Sequence, residues 1–480
     1  MQKVSLLING ALLLYPLIGI KAEKAIENED RKNVLFIVCD DLRPELNCYG
    51  QTHIKSPYID SLANVGTVFD RAYCNIAVSG ASRASLLTGL RPTKRCFAAW
   101  NARVDVDAPN TVTLNRYFKE AGYITIANGK IYHHQDDSEM KYWDNVMTPE
   151  HDTPMGYHTD VNLKQMELKE ANPKQKRGYY YEYSNTDESN FLDWKIAEKS
   201  INDLYELSKS KKPFLLAVGF IRPHLPFIVP RKYWDMYEHD KIKIPENYVL
   251  TSDSNIPRLA LNNWSELRQY SGIPSSGPMD EETAKMMIHG YYASVSFVDR
   301  QIGRVLEALK KTGLDKNTTI VLIGDHGWSL GEHGLWCKHS IFNTCLNATM
   351  IIKSPSQEKS RRCGEIVEFV DLYPTMCDAA GLKKPEHLEG KSLLPFVENG
   401  KSCSKGYAVC RWANGFTLIK DNYFYTEWRD KNDKILDRML FDHSIDKSEN
   451  HNISNVGSNK ILIDKLSKFL VKHRGEHYFE

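Results

Sequence analysis

Four short runs along the chain are almost unbroken in apolar character: Val34 to Cys39, Ile124 to Ala127, Phe214 to Val218 and Thr319 to Ile323. Runs this short, without alternation, suit β-strands buried on both faces. Between them the apolar positions recur at helical spacing. The clearest case lies in Ala293 to Lys311, where Val295, Phe297, Val298, Ile302, Val305, Leu306 and Leu309 form one stripe. Buried strands alternating with amphipathic helices predict an α/β fold with a mostly parallel central sheet between helices. Lys164 to Ser184 is polar and rich in Lys, Glu and Tyr, and predicts an excursion over the surface. After about Asn399 the pattern changes. Gly415 to Lys420 and Asn422 to Trp428 read as short alternating strands and Lys460 to His473 as a closing helix, which predicts a small antiparallel sheet plus helix. The organisation this implies is a main domain over 23–398 and a C-terminal subdomain over 399–480.

Composition refines this in three ways. With 42% hydrophobic residues in 480, the chain can fill a substantial core, and a formal net charge of +1 gives no reason to expect nucleic acid as partner. Lys3, the apolar stretch Val4 to Ile20 and the small Ala22 read as a signal peptide over 1–22. Asn9, Gly10 and Pro16 interrupt the stretch, which favours cleavage over a retained anchor, and no later run is long enough to span a bilayer. The expected location is secreted or periplasmic, with no membrane partner after cleavage. Ten cysteines (Cys39, Cys48, Cys74, Cys96, Cys337, Cys345, Cys363, Cys377, Cys403 and Cys410) show no zinc-like spacing. Such a compartment permits disulfides, but those within apolar runs, such as Cys39, read as buried thiols.

Candidate chemistry gathers at the ends of the predicted strands, where open α/β sheets place their ligands. Asp40-Asp41 follows the first strand directly, and Asp325-His326 follows Thr319 to Ile323 with Gly324 before it and Gly327 after. Two such pairs at the carboxyl ends of parallel strands can converge on one hard cation, calcium or the smaller magnesium. Each pair would serve equally as a strand-ending turn or cap. Ser79-Gly80-Ala81-Ser82-Arg83-Ala84-Ser85-Leu86-Leu87-Thr88-Gly89 sets a small nucleophile-type residue ahead of Ser-Arg and an apolar helical run. Read as plain structure it is a loop-to-helix transition with Ser82 as N-cap. Taken singly, Arg83, Lys130, His133 and Lys338 would be solvated groups and His224 a rigid-turn residue.

The order of the segments changes that balance. Residues 79–89 resemble the sulfatase signature: Cys or Ser, any residue, Pro or Ala, Ser-Arg, three residues, Leu-Thr-Gly. Asn33 to Arg43, Asn128-Gly129-Lys130-Ile131-Tyr132-His133, Phe220 to Phe227, Gly324 to Lys338, Asp371-Leu372-Tyr373-Pro374-Thr375, and Leu440-Phe441-Asp442 with Glu449-Asn450 resemble further elements of the iduronate-2-sulfatase-like branch, in the same order. The chain is thus similar to formylglycine-dependent sulfatases, in particular bacterial glycosaminoglycan uronate-2-O-sulfatases, and the implied fold is the alkaline-phosphatase-like sulfatase fold. The resemblance implies oxidation of Ser79 to formylglycine, whose hydrate attacks sulfur. It implies one Ca2+ (alternatively Mg2+) held by Asp40, Asp41, Asp325, His326 and residue 79. Arg83, Lys130 and Lys338 would surround the anionic ester with the positive charge such chemistry needs. His224 would protonate the leaving oxygen, and His133 would take the proton that lets sulfate depart.

Ser79 stands where animal enzymes carry Cys, and Ala81 where they carry Pro. This implies a bacterial source and a bacterial formylglycine-generating maturase as partner. The implied substrate is a sulfated glycosaminoglycan oligosaccharide of heparin/heparan or chondroitin type, losing the 2-O-sulfate of a terminal, 4,5-unsaturated uronic acid. Arg95, Arg222, Trp328 and His339 are pocket candidates because they lie near the motifs. The alternatives within this fold are an aryl or choline sulfatase or a phosphonate monoester hydrolase. Outside catalysis, the alternative is a sulfated-glycan-binding protein with residue 79 left as serine.

Overall fold

In the computed structural model, which describes residues 31–474, the four apolar runs become adjacent or near-adjacent strands of one eight-stranded sheet. In chain order its strands are β1 (Asn33–Cys39), β2 (Thr67–Tyr73), β3 (Ile124–Gly129), β4 (Asn145–Met147), β5 (Phe214–Phe220), β6 (Thr318–Gly324), β7 (Met350–Lys353) and β8 (Arg361–Glu368). Their spatial order is β8-β2-β7-β6-β1-β5-β3-β4. Every neighbouring pair is parallel except the two made by β7. The lack of alternation in β1 now has its cause. Val34, Phe36 and Val38 pack into a core on one face, and Leu35, Ile37 and Cys39 into a second core on the other.

The first face is covered in part by helix α1 (Ser79–Thr88), which contributes Ala81, Ala84, Leu86 and Leu87. The second is covered by α2 (Leu192–Leu207) and α3 (Glu281–Lys311). The stripe expected from Ala293 is the second half of a 31-residue helix. Asp280 caps its start by accepting from Thr283 N at 2.8 Å, Glu281 and Glu282 stand in the first turn, and Lys310 and Lys311 in the last. That charge placement complements the helix dipole.

Two expectations need correction. Lys164 to Ser184 is not a plain surface excursion: it holds most of a helix (Asp160–Ala171) and two short strands, Arg177–Tyr179 and Tyr181–Ser184. These strands pair with Tyr270–Ser271 and Phe227–Pro230, so Gly178, Tyr180 and Glu182 are buried. The C-terminal sheet has four antiparallel strands, not two: β9 (Tyr407–Trp412), β10 (Gly415–Lys420), β11 (Tyr423–Arg429) and β12 (Ile435–Asp442). One face sends Ala408, Cys410, Ile419 and Phe424 into the main core. The other receives Ile463, Leu466 and Leu470 of α4 (Lys460–His473). All ten cysteines are free, nine of them buried. The expected signal peptide lies outside the described residues. Among those described, no helix is long and apolar enough to cross a membrane.

Candidate active site

Strand register builds the first half of the site. Cys39 pairs with Gly324 across β1 and β6, so the next residues, Asp40 and Asp325, leave the sheet side by side. Asp325 N donates to Cys39 O at 3.0 Å, and Asp41 N to Asp325 Oδ1 at 2.9 Å. Asp41 turns through the left-handed region (φ 66°), which aspartate tolerates better than most residues. Asp40, Asp41, Asp325 and His326 are fully buried, with one potential ligand atom from each within 4.8 Å of the others.

The residue type of His326 is informative here. Its Nδ1 faces Gly327 O at 2.8 Å, a group that can only accept, so Nδ1 carries the proton. In the neutral ring Nε2 is then the lone-pair atom, 3.3 Å from Asp41 Oδ1 and 3.7 Å from Asp325 Oδ1. A lone pair among three carboxylates is the donor set of a cation, and the oxygen-rich set fits a hard divalent ion.

Helix α1 supplies the second half. It begins at Ser79, with Val78 as its cap residue, and ends at Gly89, which is left-handed (φ 72°). Ser82 is therefore inside the helix and is not its N-cap; its hydroxyl donates to Asp325 O at 2.5 Å and ties the helix to the acidic cluster. Ser79 Oγ lies 3.1 Å from Asp40 Oδ1 and 3.1 Å from His326 Nε2, at the positive end of the helix. Gly80 cannot be replaced freely, since a Cβ there would stand 2.0 Å from Trp100 O.

Three cations converge from separate elements, and none is a solvated surface charge. Arg83 is 1% exposed; its Nε meets Asp325 Oδ2 at 3.0 Å, its Nη2 meets Asp40 Oδ1 at 3.2 Å, and its Nη1 donates to the carbonyls of Lys130 and Ile131. Lys130, at the end of β3, pairs with Asp40. Lys338 Nζ donates to Asp41 Oδ1 at 3.0 Å. It is flanked by two left-handed residues, Cys337 (φ 68°) and His339 (φ 67°), a strained backbone of the kind that collects at functional sites. Burial would push the Asp40 carboxyl up, but Lys130, His224, Arg83 and Lys338 outweigh it and hold Asp40 well below the usual range.

The two histidines differ in state. His224 Nδ1 faces Leu225 O at 2.6 Å, and its Nε2 lies 3.2 Å from Glu266 Oε1 and 3.8 Å from Asp41 Oδ2. Burial and Lys338 pull its pKa down, yet Asp41, Glu266 and Asp40 raise it above the ordinary value. His133 is pushed down to about 2 by burial and by Lys130, and its buried Nδ1 has no hydrogen-bond partner among the described residues. His224 is thus favoured in its charged form and His133 in its neutral form.

The pocket candidates separate. Trp328 is fully buried beneath Lys338, whose Nζ is 5.3 Å from the ring centroid. His339 stacks on Trp412 at 4.7 Å and 11°. Arg222 turns inward: its Nε donates to Ile228 O and its Nη1 to His224 O, so it braces the His224 loop. Arg95 is exposed. Sequence reading missed Glu266, whose carboxyl Lys338 and His224 hold well below the usual range against the opposing effect of burial. It lies in a loop with no motif of its own. The signal available was only an acidic residue beside an aromatic one, at Trp264-Ser265-Glu266.

A buried acidic cluster able to hold a cation lies at the ends of two parallel strands, with Ser79 opening a helix beside it and largely buried cations around it, an arrangement suited to the hydrolysis of anionic esters. The sulfatase family model matches residues 32–382, and a model described as N-sulphoglucosamine sulphohydrolase, C-terminal, matches 331–476. The chain is a member of the sulfatase family. It is 32% identical over 420 residues to iduronate 2-sulfatase of Homo sapiens, covering 77% of this chain and 75% of that protein. A solved 2-O GAG sulfatase superposes with TM-score 0.70 at 23% identity, covering 92% of each chain. The phosphonate monoester hydrolase of Agrobacterium radiobacter superposes with TM-score 0.75 at 21% identity, covering 93% of this chain and 96% of that one. At these identities the superpositions speak for the fold.

Proposed function

We propose that this sulfatase removes the 2-O-sulfate from a terminal uronic acid, 4,5-unsaturated when produced by a lyase, of heparin/heparan- or chondroitin-type fragments. The observation that carries the reaction is the position of Ser79 Oγ, 3.1 Å from both Asp40 and His326 at the start of α1. The likeness to iduronate 2-sulfatase over three quarters of both chains supports the choice of sugar.

Residue 79 acts as formylglycine, produced by a bacterial maturase, and its hydrated aldehyde supplies the hydroxyls for attack and for release. Asp40, Asp41, Asp325 and His326 would hold Ca2+ or Mg2+, which would supply positive charge to counter that of the sulfate ester. Arg83, Lys130 and Lys338 counter the charge of the ester. Because Arg83 and Lys338 are buried, Lys130 is largely so, and all three are already oriented by ion pairs, they need little reorganisation as charge develops. His224, with both ring nitrogens facing acceptors, carries the proton that the poor alkoxide leaving group requires. His133, held neutral, takes a proton in the second half-reaction. The enzyme acts outside the cytoplasm, as its amino-terminal sequence suggests.

The test pairs a mass spectrum with an assay. In matured protein the peptide spanning Ser79 is expected two hydrogens lighter than its sequence. Sulfate should be released from an unsaturated uronate 2-sulfate disaccharide in preference to nitrophenyl or choline sulfate. Ser79→Ala should abolish turnover with the melting temperature nearly unchanged. Preference for the aryl ester would refute the uronate reading, and an unmodified but active Ser79 would refute the nucleophile.

A further inference from the structure

Beside Lys338 opens a cavity of about 460 Å³, within the size range of small-ligand sites. Its floor is Cys337-Lys338-His339, one wall is the loop carrying Arg258 to Glu266, and Trp412 of the C-terminal sheet stands on another side. The cavity shares Lys338 and Glu266 with the reactive cluster, so a sugar whose ester faces that cluster extends into it. Asn262 Nδ2 donates to Lys338 O at 2.9 Å and fixes the wall to the floor. The stacked Trp412 and His339 rings supply the aromatic surface against which a pyranose can lie.

The charges in this cavity are unequal in their commitments. Lys338 is paired with Asp41 and approaches Glu266 at 3.8 Å, while Glu266 also holds His224. Arg258 stands exposed at the rim, and its guanidinium makes no hydrogen bond or ion pair among the described residues. A cavity whose inner charges are mutually engaged therefore keeps one uncommitted cation, of the type whose planar fork matches a carboxylate.

We infer that Arg258 binds the carboxylate of the sulfated sugar and selects uronate 2-sulfates over the corresponding neutral hexose 2-sulfates. This rests on the uronate reading above. The contact is remote from sulfur and equal in ground and transition states, so it acts on KM more than on kcat.

The experiment uses matured, metal-loaded enzyme with two substrates: the unsaturated uronate 2-sulfate disaccharide and the same disaccharide with its carboxylate reduced to the alcohol. Arg258→Ala is expected to raise KM for the first by roughly 10- to 100-fold, the range for a hydrogen bond to a charged group, with kcat within about threefold. On the reduced sugar both constants should stay within about threefold of wild type. Carboxyl reduction should cost wild type a similar factor in KM, and Arg258→Lys should fall between. Equal losses on both substrates would make Arg258 a support of the loop and overturn its role. So would a wild type indifferent to carboxyl reduction, although 2-O-desulfation itself would then stand. A wild type that turns over neither sugar would overturn the uronate reading and this inference together.

Discussion

His224 Nε2 lies 3.2 Å from Glu266 Oε1, while Nδ1 of the same ring meets the carbonyl of Leu225 at 2.6 Å. Neither partner can donate, so the geometry favours the doubly protonated ring. The pKa of His224 is raised above its ordinary value, and an acid catalyst works in its protonated form. With His224 as the proposed acid, turnover of poor-leaving-group esters should be present below that pKa and lost as pH rises through it. Glu266→Gln removes one of the raising charges and should move the alkaline limb of the kcat profile to lower pH. A profile unchanged from wild type would remove Glu266 from this role.

His224→Ala should reduce kcat on the uronate sulfate by about 10²- to 10⁴-fold, the usual worth of general acid catalysis. Nitrophenyl sulfate needs little protonation of its leaving group and should suffer far less. Comparable losses on both would mean that His224 positions the substrate.

His133→Ala should impair the second half-reaction. With excess enzyme, the desulfated sugar is expected to appear rapidly while free inorganic sulfate lags behind it; quench-flow with separate detection of sugar and sulfate measures this. Simultaneous appearance of both products would assign the proton transfer elsewhere.

Asp325→Asn should leave the protein with less than one equivalent of Ca2+ or Mg2+ after dialysis, while wild type keeps one; elemental analysis decides. Chelation of wild type should lower both activity and melting temperature, because an ion that binds only the folded state stabilises it. Zinc at one equivalent, with neither calcium nor magnesium, would contradict the hard-cation assignment.

Gly80→Ala should destabilise the fold by about 1–3 kcal/mol, as overpacking does. The new methyl would stand 2.0 Å from Trp100 O, a backbone atom that cannot swing aside. Thermal melting of unmatured protein separates this from any effect on maturation. An unchanged melting temperature would show that the 97–100 loop yields.

Much of the site was legible because sheet and motif carry it together. An apolar run ending in Asp40-Asp41 and another ending in Asp325-His326 are local patterns, and parallel pairing brings them together. Lys338 closes the Gly324 to Lys338 motif, although nothing local shows that it turns back onto Asp41. Ser82 was legible as a capping type, but helical geometry already begins at Ser79, directly after the extended Val78. Arg222 shows the limit of residue type: the sequence placed a cation next to His224, and the fold directs it to backbone carbonyls. Glu266, Arg258 and Trp412 were invisible because their association depends on a long loop and on a sheet edge more than 140 residues downstream of that loop, and no local periodicity encodes such a meeting.

The pairing of Cys39 with Gly324 joins the two central strands of the eight-stranded sheet, and the acidic cluster begins at the next residue of each. Central strands open only with the whole domain, whereas loops open at lower free energy. The amide of Asp325, bonded to Cys39 O, should therefore exchange its hydrogen only by global unfolding, while amides around Arg258 and Glu266 exchange sooner. On warming, then, the contacts proposed for Arg258 and the support that Glu266 gives His224 should loosen together, before the acidic cluster between the central strands does.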